Sequence, residues 1–253
     1  MTKNIRLKTP AEIKTMAKGG SKLAKIKSEL AKRVKNGTSA MEIENLATAL
    51  IKQSGGQPSF KMVPGYHWTT CINVNEGLVH GIPKKETIFK NGDIVSIDVG
   101  MYFKGFHTDT SLTVLVGKNP QKEKFLKSGK LALAKAIEKV RAGNIIYDIS
   151  KAIQDSLKKD GLTPIKALVG HGVGRDLHEA PAVPCYVGDN EVEKVKLVEG
   201  MVLAIEVMYA AGGDKVVTFE DGWTIGTKDG KIAGLFEETV AIVANGPLIL
   251  TDA

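Results

Sequence analysis

Four carboxylates and one imidazole, Asp98, Asp109, Glu206, Glu237 and His171, stand in or beside apolar β-like runs of this 253-residue sequence. An unpaired carboxylate is costly out of water, and several brought together repel one another unless cations intervene. Convergence of the five would therefore make a site for divalent metal ions, and dispersal would leave five unrelated polar residues. The closest link is between the first two. In Asp93-Ile-Val-Ser-Ile-Asp-Val-Gly100, alternation puts Ile94, Ser96, Asp98 and Gly100 on one face and Val95, Ile97 and Val99 on the other. A turn at Lys104-Gly105 would bring Asp109 within a residue or two of facing Asp98, close enough to share a cation. The plainer alternative has Asp109 hydrogen-bonding the turn and Asp98 meeting a lysine.

His171 lies in Val169-Gly-His-Gly-Val-Gly-Arg175, where glycines allow close backbone approach and leave the ring free to project. This run has neither the Gly-Lys-Ser/Thr of a phosphate loop nor the third glycine of a dinucleotide fingerprint. Glu206 interrupts the apolar Met201–Met208 run, and Glu237 precedes another in Leu235–Val240. All five histidines, His67, His80, His107, His171 and His178, fall near these motifs. Cys71 and Cys185 form no CxxC pattern, which argues against a thiolate zinc site and a disulfide framework.

Helices and strands must carry these groups. Apolar residues at Ile13, Met16, Leu23, Ile26 and Leu30 space a helix over the segment from Pro10 to Val34, with lysines on its other face. Thr38-Ser39-Ala-Met-Glu42 offers a second helix start, which Gly55-Gly56 stops. Strand patterns follow at 69–74, 93–103 and 105–116, then helical ones at 120–142 and 146–160. Further strands are predicted at 165–169, 201–209, 216–219, 224–226 and 235–244. Two helices followed by a run of strands, met twice along the chain, suggest one plan used twice. No linker or low-complexity stretch divides the chain, so a single α+β domain over 1–253 is expected, with the basic segment 1–35 part of it.

Charge is uneven. Residues 1–35 hold eleven Lys/Arg against Glu12 and Glu29, a local +9 within an overall +7, so the remainder carries −2. A solvated amphipathic helix accounts for this, and so would contact with RNA at a ribosome surface. The absence of a long apolar run and of a secretory leader predicts a cytoplasmic protein with no membrane association, and a monomer.

Taken in order, the five residues, together with Val79-His-Gly-Ile-Pro83, Gly105-Phe-His-Thr-Asp-Thr-Ser111, Gly170-His-Gly-Val-Gly-Arg-Asp-Leu-His-Glu-Ala-Pro181 and Asp221-Gly-Trp-Thr224, closely resemble the type I methionine aminopeptidases, from about Ile5 to Asn245. The resemblance implies a pita-bread fold of two pseudo-symmetric αβ halves around a central antiparallel sheet with a dinuclear metal centre. It makes Asp98, Asp109, His171, Glu206 and Glu237 the metal ligands, with Asp109 and Glu237 bridging. Such a donor set suits Mn, Fe or Co, with Zn also accommodated, and two ions would share a hydroxide and clamp the scissile carbonyl. By the same resemblance Glu206 shuttles the proton, His80 and His178 contact the substrate amide, and Tyr66, Cys71, Leu177 and Trp223 line a methionine pocket. His107 supports the ligands, His67 lies at the rim, and Asn75 sits near a monovalent cation. The expected substrate is the N-terminal Met of nascent polypeptides, preferably before a small residue.

The sequence departs from the family's pattern at Leu177, at Ala204 and Val207 flanking Ile205-Glu206, and at Glu238. An Xaa-Pro aminopeptidase or prolidase-like peptidase is the alternative enzyme, and a non-catalytic ribosome- or RNA-binding homologue is the alternative from another class.

Overall fold

A computed structural model describes residues 5–252; Met1–Asn4 of the basic segment lie outside the described residues. Among the described residues there are four α-helices: α1 (Pro10–Arg33), α2 (Ala40–Gln53), α3 (Pro120–Ile137) and α4 (Ile146–Lys159). The first two open on capping boxes. Thr9 accepts from the Glu12 N–H while Glu12 accepts from the Thr9 N–H, and Ser39 and Glu42 do the same for α2, arrangements worth about 0.5–2 kcal/mol per cap. Ser39, one residue beyond the anticipated start at Thr38, is therefore the cap. At α4 only half the box exists, because Ile145 has no side-chain acceptor; Asp148 accepts the Ile145 N–H at 2.9 Å.

The strands are β1 (Gln57–Pro58), β2 (Thr70–Val74), β3 (Gly77–Val79), β4 (Ile94–Phe103), β5 (Phe106–Leu115), β6 (Thr163–Pro164), β7 (Val169–Gly172), β8 (Glu179–Pro184), β9 (Val202–Ala210), β10 (Val216–Thr218), β11 (Ile225–Thr227), β12 (Ala233–Val243) and β13 (Gly246–Ile249). The main antiparallel sheet runs β1-β4-β5-β12-β9-β7-β8, and β10-β11-β3 form a smaller one. Helices α1 and α2 cover the back of the first half, where Leu23, Leu30, Ile43 and Ile51 meet Val95, Ile97 and Val99. Helices α3 and α4 cover the second, where Ile149 and Ile153 meet Leu203, Ile205 and Val207. Each half thus places two helices behind two long strands, the doubled plan anticipated from element order. With one face buried under helices, the alternating residues of β4, β5, β9 and β12 are committed to the other.

Three expectations are corrected. Residues 165–168 are not a strand; pairing begins at Val169, and Ile165, although buried, sits in a connection bonded to Met208. The third helix ends at Ile137 and not near 142, because the chain turns through Val140 to Gly143, whose φ of +96° breaks helical geometry. Strands β1, β3, β6, β8 and β13 had not been anticipated: four of them span four residues or fewer, and β8 contains two prolines, Pro181 and Pro184, which weaken a strand pattern. Among the described residues no helix is long and apolar enough to cross a membrane.

Candidate active site

The hairpin between β4 and β5 turns through Lys104 and Gly105, both at positive φ, as a two-residue turn matched to strand twist requires. This sets Asp98 opposite Ser111 and Gly100 opposite Asp109. The register continues across the sheet: Cys71 pairs with Asp98, Ser111 with Glu237, and Glu237 with Glu206. Cross-strand partners share a face, so Cys71, Asp98, Ser111, Glu237 and Glu206 form one row across five strands. Asp109 lies two residues from Ser111 on the same face, and His171 arrives on β7 opposite Ala204. Gly100 is needed here, because a Cβ would stand 2.9 Å from Phe60 and Ser59 and 3.3 Å from the Asp109 carboxylate.

Ligand atoms of Asp109, His171 and Glu237 lie within 4.8 Å of one another. His171 Nε2 is 3.5 Å from Glu206 Oε1, and the Asp98 and Asp109 carboxyls are near enough to shift one another's protonation. All five therefore line one cavity of 160 Å³. His171 Nδ1 donates to the Gly172 carbonyl at 2.8 Å, which leaves the Nε2 lone pair facing the acids. Burial holds its imidazole at about 4, with His178 adding to the effect.

The carboxyls move the opposite way. Burial first, then their mutual repulsion, pushes Asp98, Glu206 and Glu237 well above the usual carboxylate range, and burial lifts Asp109 to about 7. Asp98 Oδ1 and Glu237 Oε1 are buried without a hydrogen-bond partner, and no Lys or Arg lines the cavity, among the described residues. Orphaned acceptors beside an imidazole with a free lone pair form the donor set that hard divalent cations take, so the residues fit a metal centre.

The cavity's other wall is apolar. Tyr66, Cys71 and Leu177 are buried there with Phe60, and Trp223 packs against them; the Tyr66 and Trp223 rings meet edge-on at 5.1 Å. Tyr66 Oη donates to the Thr70 carbonyl at 2.9 Å, which fixes the ring. Burial pushes the Cys71 thiol well up, so it serves as wall and not as nucleophile. His80 and His178 line the mouth. His80 holds the left-handed conformation at φ +57°, and Gly81 after it could carry no Cβ, which would fall 2.1 Å from the Ile72 carbonyl. Strain held at that point is a mark of a functional position. His107 does not reach the cavity; its Nδ1 meets Ser59 Oγ at 2.8 Å. His67 is exposed beside Trp68. The sequence reading missed Phe60, Val63 and Val79 as pocket walls; two apolar residues in the loop just before Tyr66 were the available signal.

The departures from the family pattern separate by face. Glu238 points to the back of the sheet, where its Oε1 meets Lys27 Nζ at 2.6 Å. Val207 packs into the helix-covered core. Ala204 pairs across the strands with His171 but is buried among Ile13, Met16 and Val173 and does not line the cavity, whereas Leu177 is in its wall. Asn75, also at positive φ, spends its side chain on Asp93 Oδ1 and the Ile94 N–H. A larger apolar groove of 680 Å³ runs between the start of α1 and the final hairpin, and none of the five candidate ligands lines it.

The sequence from 14 to 241 matches the model of metallopeptidase family M24. The chain belongs to that family. This M24 metallopeptidase is an enzyme similar to the methionine aminopeptidase of Aquifex aeolicus, 40% identical over 98% of this chain and 99% of the relative. It is likewise similar to methionine aminopeptidase 1 of Bacillus subtilis, 41% identical over 96% and 98%. The crystal structure of the Thermotoga maritima methionine aminopeptidase superposes with a TM-score of 0.94 at 41% identity, covering 98% of this chain and all of that one. Prolidase from Pyrococcus furiosus matches at TM-score 0.78 and 24% identity, over 98% of this M24 metallopeptidase but only 65% of the prolidase, a likeness of fold alone. The fold is thus the pita-bread arrangement.

Proposed function

We propose that this chain, acting as one catalytic domain over 1–253, is a metal-dependent aminopeptidase that removes the N-terminal Met of nascent polypeptides, preferably before a small second residue. The observation that carries the reading is the row of buried carboxylates facing His171 beside an aromatic and aliphatic pocket, together with about 40% identity along the whole chain to enzymes of that name. In this reading Asp98, Asp109, His171, Glu206 and Glu237 hold two divalent ions, with Asp109 and Glu237 shared between them. Bound ions of this kind supply Lewis acidity to a peptide carbonyl and acidify water.

The chain's own groups do the rest. Glu206, held well above the usual carboxylate range by burial, accepts a proton from water and returns it to the departing amine. His80 and His178, at the mouth, hydrogen-bond the amide being cleaved. Tyr66, Cys71, Leu177 and Trp223 receive the methionine side chain, whose thioether packs well on aromatic rings. The hard donor set favours Mn, Fe or Co over Zn. A monovalent cation beside Asn75 would be held by backbone carbonyls, since the side chain is committed elsewhere. We place the enzyme in the cytoplasm as a monomer. Exposed Lys14, Lys18, Lys25 and Lys32 of α1 suit contact with ribosomal RNA.

Metal-reconstituted protein is expected to cleave Met-Ala-Ser and to leave acetyl-Met-Ala-Ser and Xaa-Pro peptides intact. No cleavage of Met-Ala-Ser with any of Mn²⁺, Fe²⁺, Co²⁺ or Zn²⁺ would overturn the reading, and Xaa-Pro cleavage would replace it with the prolidase-like one.

A further inference from the structure

We infer that Thr239 is a positioning residue of the metal centre, because its buried hydroxyl holds both backbone groups of Asp109; the inference rests on the reading of Asp109 as a metal ligand. Strands β5 and β12 join the two halves of the sheet, yet they share a single registered pair, Ser111 with Glu237. On either side of that pair a threonine hydroxyl replaces the ladder. Thr239 Oγ1 accepts from the Asp109 N–H at 2.9 Å and donates to the Asp109 carbonyl at 2.7 Å. Thr113 Oγ1 accepts from the Leu235 N–H at 3.0 Å and donates to the Leu235 carbonyl at 2.7 Å.

The two clasps are related by the local two-fold through the Ser111–Glu237 pair. Residues 109, 111 and 113 of one strand answer 235, 237 and 239 of the other. The hydroxyl is needed because Thr239's own backbone is occupied: its N–H donates to Thr251 Oγ1 at 2.9 Å, and its carbonyl accepts from the Leu250 N–H at 2.8 Å. Both threonines are shut off from solvent, at 0% exposure for Thr239 and 1% for Thr113. Water therefore has no access to take the place of a lost hydroxyl, and Asp109 would be left with an unpaired donor and acceptor.

The symmetry is broken in function. Thr113 fixes Leu235, a core residue, whereas Thr239 fixes a residue whose carboxylate lies in the metal cluster. The same chemical loss at the two positions should thus cost stability in both and metal affinity in only one.

The test is calorimetric titration of Mn²⁺ into the metal-stripped full chain. Thr239→Val is expected to weaken binding about 10–100-fold, the usual effect of removing a partner that orients a ligand. Thr239→Ser should restore it, and Thr113→Val should lower the unfolding midpoint while leaving Mn²⁺ affinity unchanged. Should the valine variant not fold, Thr239→Ala provides the same comparison. Equal Mn²⁺ affinity in wild type and Thr239→Val, or equal weakening by Thr113→Val, would overturn the inference alone. Absence of binding of Mn²⁺, Fe²⁺, Co²⁺ and Zn²⁺ alike by the wild-type chain would overturn the metal-centre reading and the inference with it.

Discussion

Glu206 has two tasks in the proposed reaction, metal ligand and proton carrier, and its surroundings suit both. Burial raises its carboxyl, and its register opposite Glu237 sets it in the row 3.5 Å from His171 Nε2. Glu206→Gln keeps the shape and removes the proton carrier, so turnover on Met-Ala-Ser is expected to fall at least about 100-fold with an unchanged circular dichroism spectrum. A rate near wild type would remove the acid–base role. Asp221 behaves in the opposite sense. Burial alone would push its carboxyl up, but the Thr224 N–H and hydroxyl, Lys84 and the Trp223 N–H outweigh that and hold it at about 2. A group depressed in the folded state adds stability above its unfolded value of 3.8, and that stability is lost as pH falls toward about 2. Comparing metal-free wild type with Asp221→Asn isolates this contribution from the raised cluster carboxyls, which both proteins share. The difference in urea midpoint should be full above pH 3.8 and close on acidification. A gap that widens toward low pH would show the sign to be wrong.

At the scale of elements, α1 reads as a lysine-covered surface helix, yet two of its lysines are structural. Lys22 donates to the Ser54 carbonyl at 2.6 Å, and Lys27 bonds Glu238 and Thr110 at 2.6 and 2.7 Å. Lys22 thereby ties α1 to the end of α2, and Lys27 ties it to the strands that carry Asp109 and Glu237, which gives the unexpected glutamate at 238 a partner. Lys27→Met should lower stability by about 1–3 kcal/mol by leaving Glu238 and Thr110 short of a donor. Pairing it with Glu238→Gln should recover part of that loss in a double-mutant cycle of urea denaturation; strictly additive losses would argue that the two do not interact. Periodicity revealed α1, α2 and the β4–β5 hairpin because each is long, amphipathic and bounded by its own caps or turn. It could not reveal β3, β8 or β13, which are held by tertiary partners over three to six residues. Nor did it mark the end of α3, since Val140 continues the apolar pattern and is buried in a turn.

For the molecule as a whole, the pseudo-symmetric halves make the site. Each contributes one acid from an inner strand and one from its neighbour, and the row exists only where β5 meets β12. Strand alternation alone could join Asp98 to Asp109 across one hairpin. His171, Glu206 and Glu237 come from strands far apart in sequence, and no local pattern states that they share a face; the ordered motifs supplied that link. The junction itself, with its threonine clasps, was not legible because it depends on which strand the backbone of Thr239 bonds. Bound metal should act as a cross-brace between the halves. Mn²⁺ at 100 times its dissociation constant is expected to stabilise the folded chain by about 2.7 kcal/mol, read as a rise in unfolding midpoint that EDTA reverses. An unchanged midpoint on metal addition would contradict a preformed centre.

The most direct measurement is anomalous X-ray scattering at the manganese edge from crystals of this chain grown with Mn²⁺. The predicted result is two peaks in the 160 Å³ cavity, each within bonding distance of Asp109 and Glu237, one also of Asp98 and the other also of Glu206 and His171 Nε2. Peaks elsewhere on the chain, or none in the cavity, would contradict the account.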